Sequence, residues 1–496
     1  MNPISKKYIS LFVVVSAVHS GMVNAEQKQL DPQYGEPAQY EQTKKKKPQK
    51  LANGKIKLDY GPLYHGKRQD PAMKKWRENR FGQFIHWGLY SIPGGVWEGK
   101  TYGYAAEFLK ASAGISTERW NGLKDEFNPT EFNGKEWASM AKAMGAKYVC
   151  LTTKHHEGFC LWPSKYTEFD IENTPYQKDL MKEFVDAYSE AGIDVYLYYS
   201  VLDWYHPDWR TKLKTMDDVE AFERFKTFTQ NQLVELLERY PQVKGLWFDG
   251  TWDQCWKDNG KFSYELEVLL KEKRPGLIVN SRLRADDFGK RHRDSNGDLM
   301  GDFESGYERR LPDPRDTSVT KNDWECCMTI PENQWGYHKD WTLTHQKNTN
   351  ELLEMLAQCS SQGGNFLLNF GPNGKGVFRA EEKRIAREIG EWMKTNSAAI
   401  YGSDYAGLKK QDWGYFTKNT KSGEVYMIVF NVPISYQLRV ELPKHQTISK
   451  ANMVGIGQEL QLEKFDSNET FVLLPPKSYT SPFVIRLELK ANKKSQ

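Results

Sequence analysis

Gly245-Leu246-Trp247-Phe248-Asp249-Gly250 is a short apolar run that ends in an acid and a glycine, with Pro241 upstream. Such a run, closed by turn residues, predicts a buried strand. Asp249 then stands where the backbone leaves the core and opens into a loop. In a parallel α/β barrel that edge carries catalytic groups. Alternatively, Asp249 caps the next helix or closes a turn.

Working outward, the same texture recurs. Phe81 to Gly88 predicts a strand running into His86-Trp87-Gly88, and Tyr148 to Thr153 one running into Lys154-His155-His156. Val195 to Ser200 leads to Asp203-Trp204, and Leu277 to Arg282 also ends in polar groups. Weaker strands are expected at Gly301 to Glu304 and Trp324 to Ile330, and a stronger one at Asn365 to Pro372. Helical spacing lies between them: Lys135 to Met144, Asp179 to Ala191, Asp218 to Tyr240, Tyr264 to Lys273, Asn348 to Cys359 and Ala380 to Lys394. About eight alternations of strand and helix predict a (β/α)8 TIM-like barrel over residues 71–402. No G-x-G-x-x-G follows the first strand, which argues against a doubly wound nucleotide-binding sheet. After Tyr401 helical spacing stops. Short β-rich pieces (Val425 to Val432, Gln437 to Leu442, Thr470 to Leu474, Phe483 to Leu489) predict a C-terminal antiparallel β-sandwich over 403–496.

The N-terminus reads differently. Lys6 and Lys7 precede an apolar run from Ile9 to Val18, and Val23-Asn24-Ala25 offers small residues for cleavage. Residues 1–25 are expected to be a signal peptide, so the mature protein would be secreted or periplasmic, with no stable membrane anchor. Residues 26–70 are polar and rich in Lys and Pro, and read as a leader draped over the barrel. Net charge is +4, or +2 without Lys6 and Lys7, too near neutral to imply nucleic acid. Six cysteines include no C-x-x-C pair, which excludes a zinc ribbon, and mostly free thiols are expected. Sixteen Trp and 26 Tyr in 496 residues make a sugar-stacking groove plausible, although aromatics are also ordinary core. Oligomerisation is left open by the sequence.

The strand ends together present His86, His155, His156, Tyr198, Asp249 and Arg282. Packing alone does not ask for so many titratable groups. A metal site fits them poorly. Adjacent histidines on a strand point to opposite faces, and there is no H-E-x-x-H. A serine nucleophile lacks its G-x-S-x-G elbow. Glycoside hydrolysis fits better, since it needs two carboxyls flanking an anomeric carbon. Asp249 suits the nucleophile. The acid/base would come from Asp302-Phe303-Glu304-Ser305-Gly306-Tyr307-Glu308, or from Glu325.

Four motifs in order carry a resemblance: Phe84-Ile85-His86-Trp87-Gly88, Lys154-His155-His156-Glu157-Gly158-Phe159, Trp247-Phe248-Asp249-Gly250 and Gly363-Gly364-Asn365-Phe366-Leu367-Leu368-Asn369. Together they resemble the α-L-fucosidases of glycoside hydrolase family 29, over about residues 60 to 402. That resemblance implies a retaining exo-glycosidase that releases terminal α-linked L-fucose from fucosylated glycans, with no metal and no cofactor. Asp249 matches the nucleophile. His86, His155, His156, Tyr198, Trp247 and Arg282 match positions that grip fucose hydroxyls or the nucleophile, and Glu107 matches a sugar-binding acid. Phe108 stands where the family has Trp, and Glu157 where it has Asp. Gly301 to Glu308 resembles the family's acid/base segment with one extra residue, which favours Glu308 over Glu304. Two other readings stay open: a fucose-binding lectin on an inactive barrel, and a hydrolase of a related sugar such as an α-L-galactoside.

Overall fold

The computed structural model describes residues 49–50, 56–57, 60–285, 292–294, 296–444 and 446–491. The expected signal peptide and most of the leader lie outside them. Eight parallel strands form the first unit: β1 Phe81–Ile85, β2 Tyr148–Lys154, β3 Asp194–Ser200, β4 Gly245–Asp249, β5 Ile278–Val279, β6 Glu304–Glu308, β7 Trp324–Thr329 and β8 Asn365–Phe370. They pair in the order β6-β7-β8-β1-β2-β3-β4-β5. The ring closes through a parallel bridge from Asn280 to Phe303, just past β5 and just before β6. Most strands are buried on both faces, as a barrel wall covered by helices requires.

Helices stand where the spacing places them because their ends are marked in the sequence. Asn133 accepts from the N–H groups of Lys135 and Glu136 to start α2 (Gly134–Met144), and Gly145 ends it in the left-handed conformation. Asp179 caps α3 (Leu180–Glu190), while Thr215 and Asp218 form a capping box on α4 (Met216–Arg239). α1 (Pro71–Asn79), α5 (Gly260–Lys273), α6 (Thr349–Ser361) and α7 (Ala380–Asn396) are the other helices longer than two turns among the described residues. The regular alternation expected from the sequence is broken twice. Neither β5–β6 nor β6–β7 is joined by an α-helix among the described residues, and the second connection holds only a turn of 3-10 helix, Ser318–Lys321.

Two strand expectations are corrected. The strand expected at Leu277 to Arg282 is cut to two residues, because the Asn280 amide takes over the ladder. Its Oδ1 accepts from the Phe248 N–H (2.8 Å) and its Nδ2 donates to the Phe248 carbonyl (3.0 Å). Freed from further pairing with β4, the backbone turns into a 3-10 helix, Ser281–Leu283, that carries Arg282. The strand expected at Gly301 to Glu304 begins instead at Glu304, where the hydrogen-bonded register with β7 starts.

The described part of the leader packs on the barrel: Arg68 donates to the Leu277 carbonyl at 3.0 Å, and its guanidinium lies 2.7 Å from Asp302. The C-terminal unit is an antiparallel sandwich of β9 Gly414–Asn419, β10 Val425–Val429, β11 Gln437–Glu441, β12 Gln446–Met453, β13 Glu459–Lys464, β14 Glu469–Leu473 and β15 Phe483–Ala491, with Ser403–Asp404 at one edge. β13 pairs first with β12 and then with β14, so it joins the two layers. Phe416, Met427, Leu438, Val472 and Ile485 fill the space between them. The other face of β9, β10 and β15 presents Tyr415, Ile428 and Val484 to the barrel core. All six cysteines are free and buried.

Candidate active site

A cavity of about 530 Å³ opens where the strands end. The exits of β1 and β4 are held against the neighbouring strands. Thr152 on β2 accepts from the Trp87 N–H (2.8 Å) and donates to the Trp87 carbonyl (2.9 Å), which fixes the exit of β1. Gly250 follows Asp249 with φ 75°, and a Cβ there would lie 2.6 Å from Leu202 N and 2.7 Å from Ser200 Oγ. Only glycine allows β4 to leave so close to the end of β3.

Asp249 is at the centre of the cavity wall, 13% exposed. Its Oδ1 accepts from Arg282 Nη1 (2.8 Å) and its Oδ2 from the Tyr198 hydroxyl (2.9 Å). Burial alone would raise its pKa. Arg282, His156 and the Tyr198 hydrogen bond outweigh that and hold it at about 2, so the carboxylate is ionised at neutral pH. The other terminal nitrogen of Arg282 donates to Glu308 Oε2 at 2.7 Å. The guanidinium also donates to the Ser305 carbonyl and lies 4.7 Å above the Trp247 ring. One planar fork therefore bridges two carboxylates.

The histidines are neutral hydrogen-bonding groups. Asn369 Nδ2 donates to the Trp335 carbonyl, so its Oδ1 accepts from His86 Nδ1–H at 2.7 Å. Burial pulls the pKa of His86 down to about 3. The Ser200 hydroxyl donates to the Leu202 carbonyl, so it accepts from His156 Nδ1–H, also at 2.7 Å. Burial likewise lowers His156 to about 4. In both rings Nε2 keeps its lone pair, and that of His156 lies 3.9 Å from Asp249. His155 is buried with no partner for Nδ1, its ring 4.1 Å from that of His156.

That proximity corrects one expectation: His155 and His156 do not point to opposite faces. β2 ends at Lys154, its register already shifted between Thr152 and Lys154, and both histidines sit on the loop beyond, lining one cavity. Lys154 itself forms a fully buried pair with Asp203 at 2.9 Å, which fixes the loop after β3. Glu107 accepts from the Gly336 N–H with Oε2 (2.9 Å), while its Oε1 has no partner, and burial raises its pKa to about 7. Trp247 presents its ring, but its N–H points inward to Glu325 at 2.9 Å.

The structure separates the acids that the sequence left competing. A register shift between Glu304 and Tyr307 breaks strand alternation. Glu308 lines the cavity, 30% exposed. Glu304 is outside the cavity lining and fully engaged, with Arg293 at 2.7 Å, the Gly306 N–H at 2.8 Å and His292 at 3.5 Å. Burial would raise its pKa, but those partners hold it at about 2. Glu325 is buried in the barrel interior between Tyr148 (2.7 Å) and Trp247. The structure thus brings His86, Glu107, His155, His156, Tyr198, Trp247, Asp249, Arg282 and Glu308 together, and leaves Glu304 and Glu325 outside.

Known proteins share this arrangement of chain and fold. The model of the family described as Alpha-L-fucosidase matches residues 48–398. The chain belongs to that family. It is 29% identical to the tissue alpha-L-fucosidase of Rattus norvegicus over 446 residues, covering 86% of this chain and 90% of the relative. A crystal structure of a GH29 alpha-L-fucosidase from Bacteroides thetaiotaomicron matches with 55% identity and a TM-score of 0.86, covering 88% of this chain and 99% of that one. A trapped covalent intermediate of a Bacteroides thetaiotaomicron GH29 enzyme, with 2-fluoro-fucosyl fluoride, also matches at 55% identity and TM-score 0.86, covering 88% and 100% of the two chains. The protein is a glycoside hydrolase.

Seen as a fucosidase, the chain shows what its departures do. Glu157 accepts from the Leu89 N–H (2.8 Å) and Trp120 Nε1 (3.0 Å), away from the cavity, and burial raises its pKa to about 8. It braces the loop after β1. Phe108 lines the cavity beside His156 and Trp204. Sequence reasoning missed Tyr104, Trp204, Trp252, Arg309, Arg310 and Trp335, all lining residues on connecting segments. Their only advance signal was the density of aromatics and arginines between the predicted elements.

Proposed function

We propose that the protein is a retaining exo-α-L-fucosidase that removes terminal α-linked fucose by double displacement. Asp249 attacks the anomeric carbon while Glu308 protonates the departing oxygen. Glu308 then takes a proton from water, which releases the sugar from Asp249. The observation that carries this reading is the Arg282 bridge: no more than one guanidinium fork and two hydrogen bonds separates the two carboxylates. The bridge puts both carboxylates on one guanidinium, as a two-carboxylate mechanism requires. Retention further asks that they lie about 5 Å apart, whereas inversion leaves room for a water between them. The trapped covalent intermediate of the Bacteroides thetaiotaomicron enzyme supports the same route.

Exo action follows from the blind cavity, whose floor is the packed barrel interior at Phe84, Tyr198 and Trp247. A chain end enters such a site and a chain middle does not. The lone pairs of His86 and His156 and the unpartnered Oε1 of Glu107 are acceptors for sugar hydroxyls. The aromatic wall of Phe84 and Trp335 suits a methyl-bearing sugar better than a hydroxymethyl one, which favours fucosides over α-L-galactosides. Export through the N-terminal leader belongs to the same reading. Among the described residues no helix is long and apolar enough to cross a membrane.

Azide rescue on an aryl α-L-fucoside tests the assignment. Asp249→Gly with azide should yield the β-fucosyl azide, because azide then replaces the nucleophile. Glu308→Ala should yield the α-azide, because azide then opens the intermediate. Asp249→Gly retaining activity within about tenfold of the parent, or the same anomer from both variants, would refute it.

A further inference from the structure

The cavity carries more positive charge than the reaction asks for. β6 ends at Glu308, and the next two residues, Arg309 and Arg310, also line the cavity. Consecutive side chains on an extended strand face opposite sides. Here Arg309 adopts the left-handed conformation, φ 54°, which a bulky residue takes only when its surroundings impose it. Its N–H donates to the Cys327 carbonyl at 2.9 Å, and its Nη1 donates to Asn333. The turn gathers three successive charged side chains around one space.

Four arginines and four acids line the cavity, but they are paired unevenly. Arg282 is shared by Asp249 and Glu308, and Arg293 is taken by Glu304. Arg309 Nε is buried with no acceptor, and its nearest paired carboxylate, Glu308, is 3.7 Å away. Arg310 is half-buried, and among the described residues no carboxylate forms an ion pair with it. Glu107, the other buried acid of the lining, forms no ion pair with either arginine among the described residues. Proton donation by Glu308 to a departing oxygen asks for no cation beside it, so acid catalysis does not explain them. A guanidinium fork matches the paired oxygens of a carboxylate or sulfate.

We propose that Arg309 and Arg310 form a leaving-group subsite for a sugar bearing an anionic substituent, either a carboxylate or a sulfate ester. The proposal rests on Glu308 as acid/base, since that role places the departing sugar over the turn after β6. It defines the natural substrate as a fucose cap on an acidic glycan.

The test uses three α-L-fucosyl disaccharides of one linkage, differing only at C6 of the second sugar: hydroxymethyl, sulfate ester or carboxylate. In the wild-type enzyme at low salt, at least one anionic substrate should exceed the neutral one in kcat/KM by about tenfold. The preference should shrink in about 0.5 M NaCl. R310Q, with its fold checked by circular dichroism, should bring the anionic-to-neutral ratio towards one, and the better arm shows whether the subsite reads sulfate or carboxylate. A wild-type ratio of one or less, or an unchanged ratio in R310Q, would overturn the subsite while release from the neutral disaccharide leaves the fucosidase reading standing. Release from none of the three, in any linkage, would overturn both.

Discussion

Charge is handled in opposite ways at the two ends of the barrel. At the N-terminal rim, Asp302 is fully buried and met by Arg68 and Lys271, each at 2.7 Å, and also accepts from the Val279 N–H. Lys271 reaches Glu267, which in turn holds Arg284 at 2.7 Å. Every acid there has its cations. At the mouth, one arginine serves two carboxylates, Glu107 and His155 each keep a buried atom without a partner, and Arg309 is held in a left-handed turn. A network in which each carboxylate has its own cations fixes a structure, while one that leaves acceptors unpartnered keeps hydrogen-bonding capacity for a ligand.

The contrast can be broken most severely at Arg282. Arg282→Met should lower kcat/KM on an aryl fucoside by about a thousandfold, because it strands a buried carboxylate and unties Glu308. Arg282 is what most depresses the Asp249 pKa, so its loss raises that pKa. The acidic limb of the pH–rate profile should then move to higher pH. An acidic limb that stays in place would show that Arg282 does not set the ionisation of Asp249.

A second substitution pair separates the two glutamates of β6. Glu308→Gln should cost about a hundredfold in kcat/KM on a substrate with a poor leaving group, and far less when the leaving group needs no proton. Glu304→Gln should instead lower the melting temperature and change kcat/KM of the folded enzyme by less than about tenfold, since Glu304 stands outside the cavity lining. The reverse pattern would exchange their roles. At the N-terminal rim, Asp302→Asn should cost about 3 kcal/mol in urea unfolding by removing the buried charge that Arg68 and Lys271 share, while kcat/KM of the folded enzyme stays within about twofold.

The smallest effect concerns Glu157. Its folded pKa of about 8 lies above the ordinary carboxylate value, so the folded state holds a proton that the unfolded state has released. Stability from this group is fullest below about pH 4 and declines as pH rises towards 8. Glu157→Gln should flatten the urea midpoint between pH 5 and 8, by on the order of 2 kcal/mol relative to wild type. Parallel pH dependences in the two proteins would place that titration elsewhere.

The barrel was legible because an apolar run closed by a polar residue reports both burial and the point where the chain escapes. Asp249, His86, Tyr198 and Arg282 were found that way. The acid/base was not decided, because the register shift between Glu304 and Tyr307 leaves no mark in composition or spacing. The short β5 was equally hidden: an Asn280 side chain that mimics a peptide group looks like any other polar residue. Trp204, Trp335, Arg309 and Arg310 lie on connecting segments, whose paths follow from tertiary contacts rather than from a local period.

The covalent role of Asp249 is open to direct weighing. Incubation with a 2-fluoro-fucosyl fluoride, digestion and peptide mass mapping should place a single fluorofucosyl adduct on the peptide containing Asp249, as activity is lost. An adduct on Glu308 or elsewhere, or inactivation with Asp249 unmodified, would contradict the account.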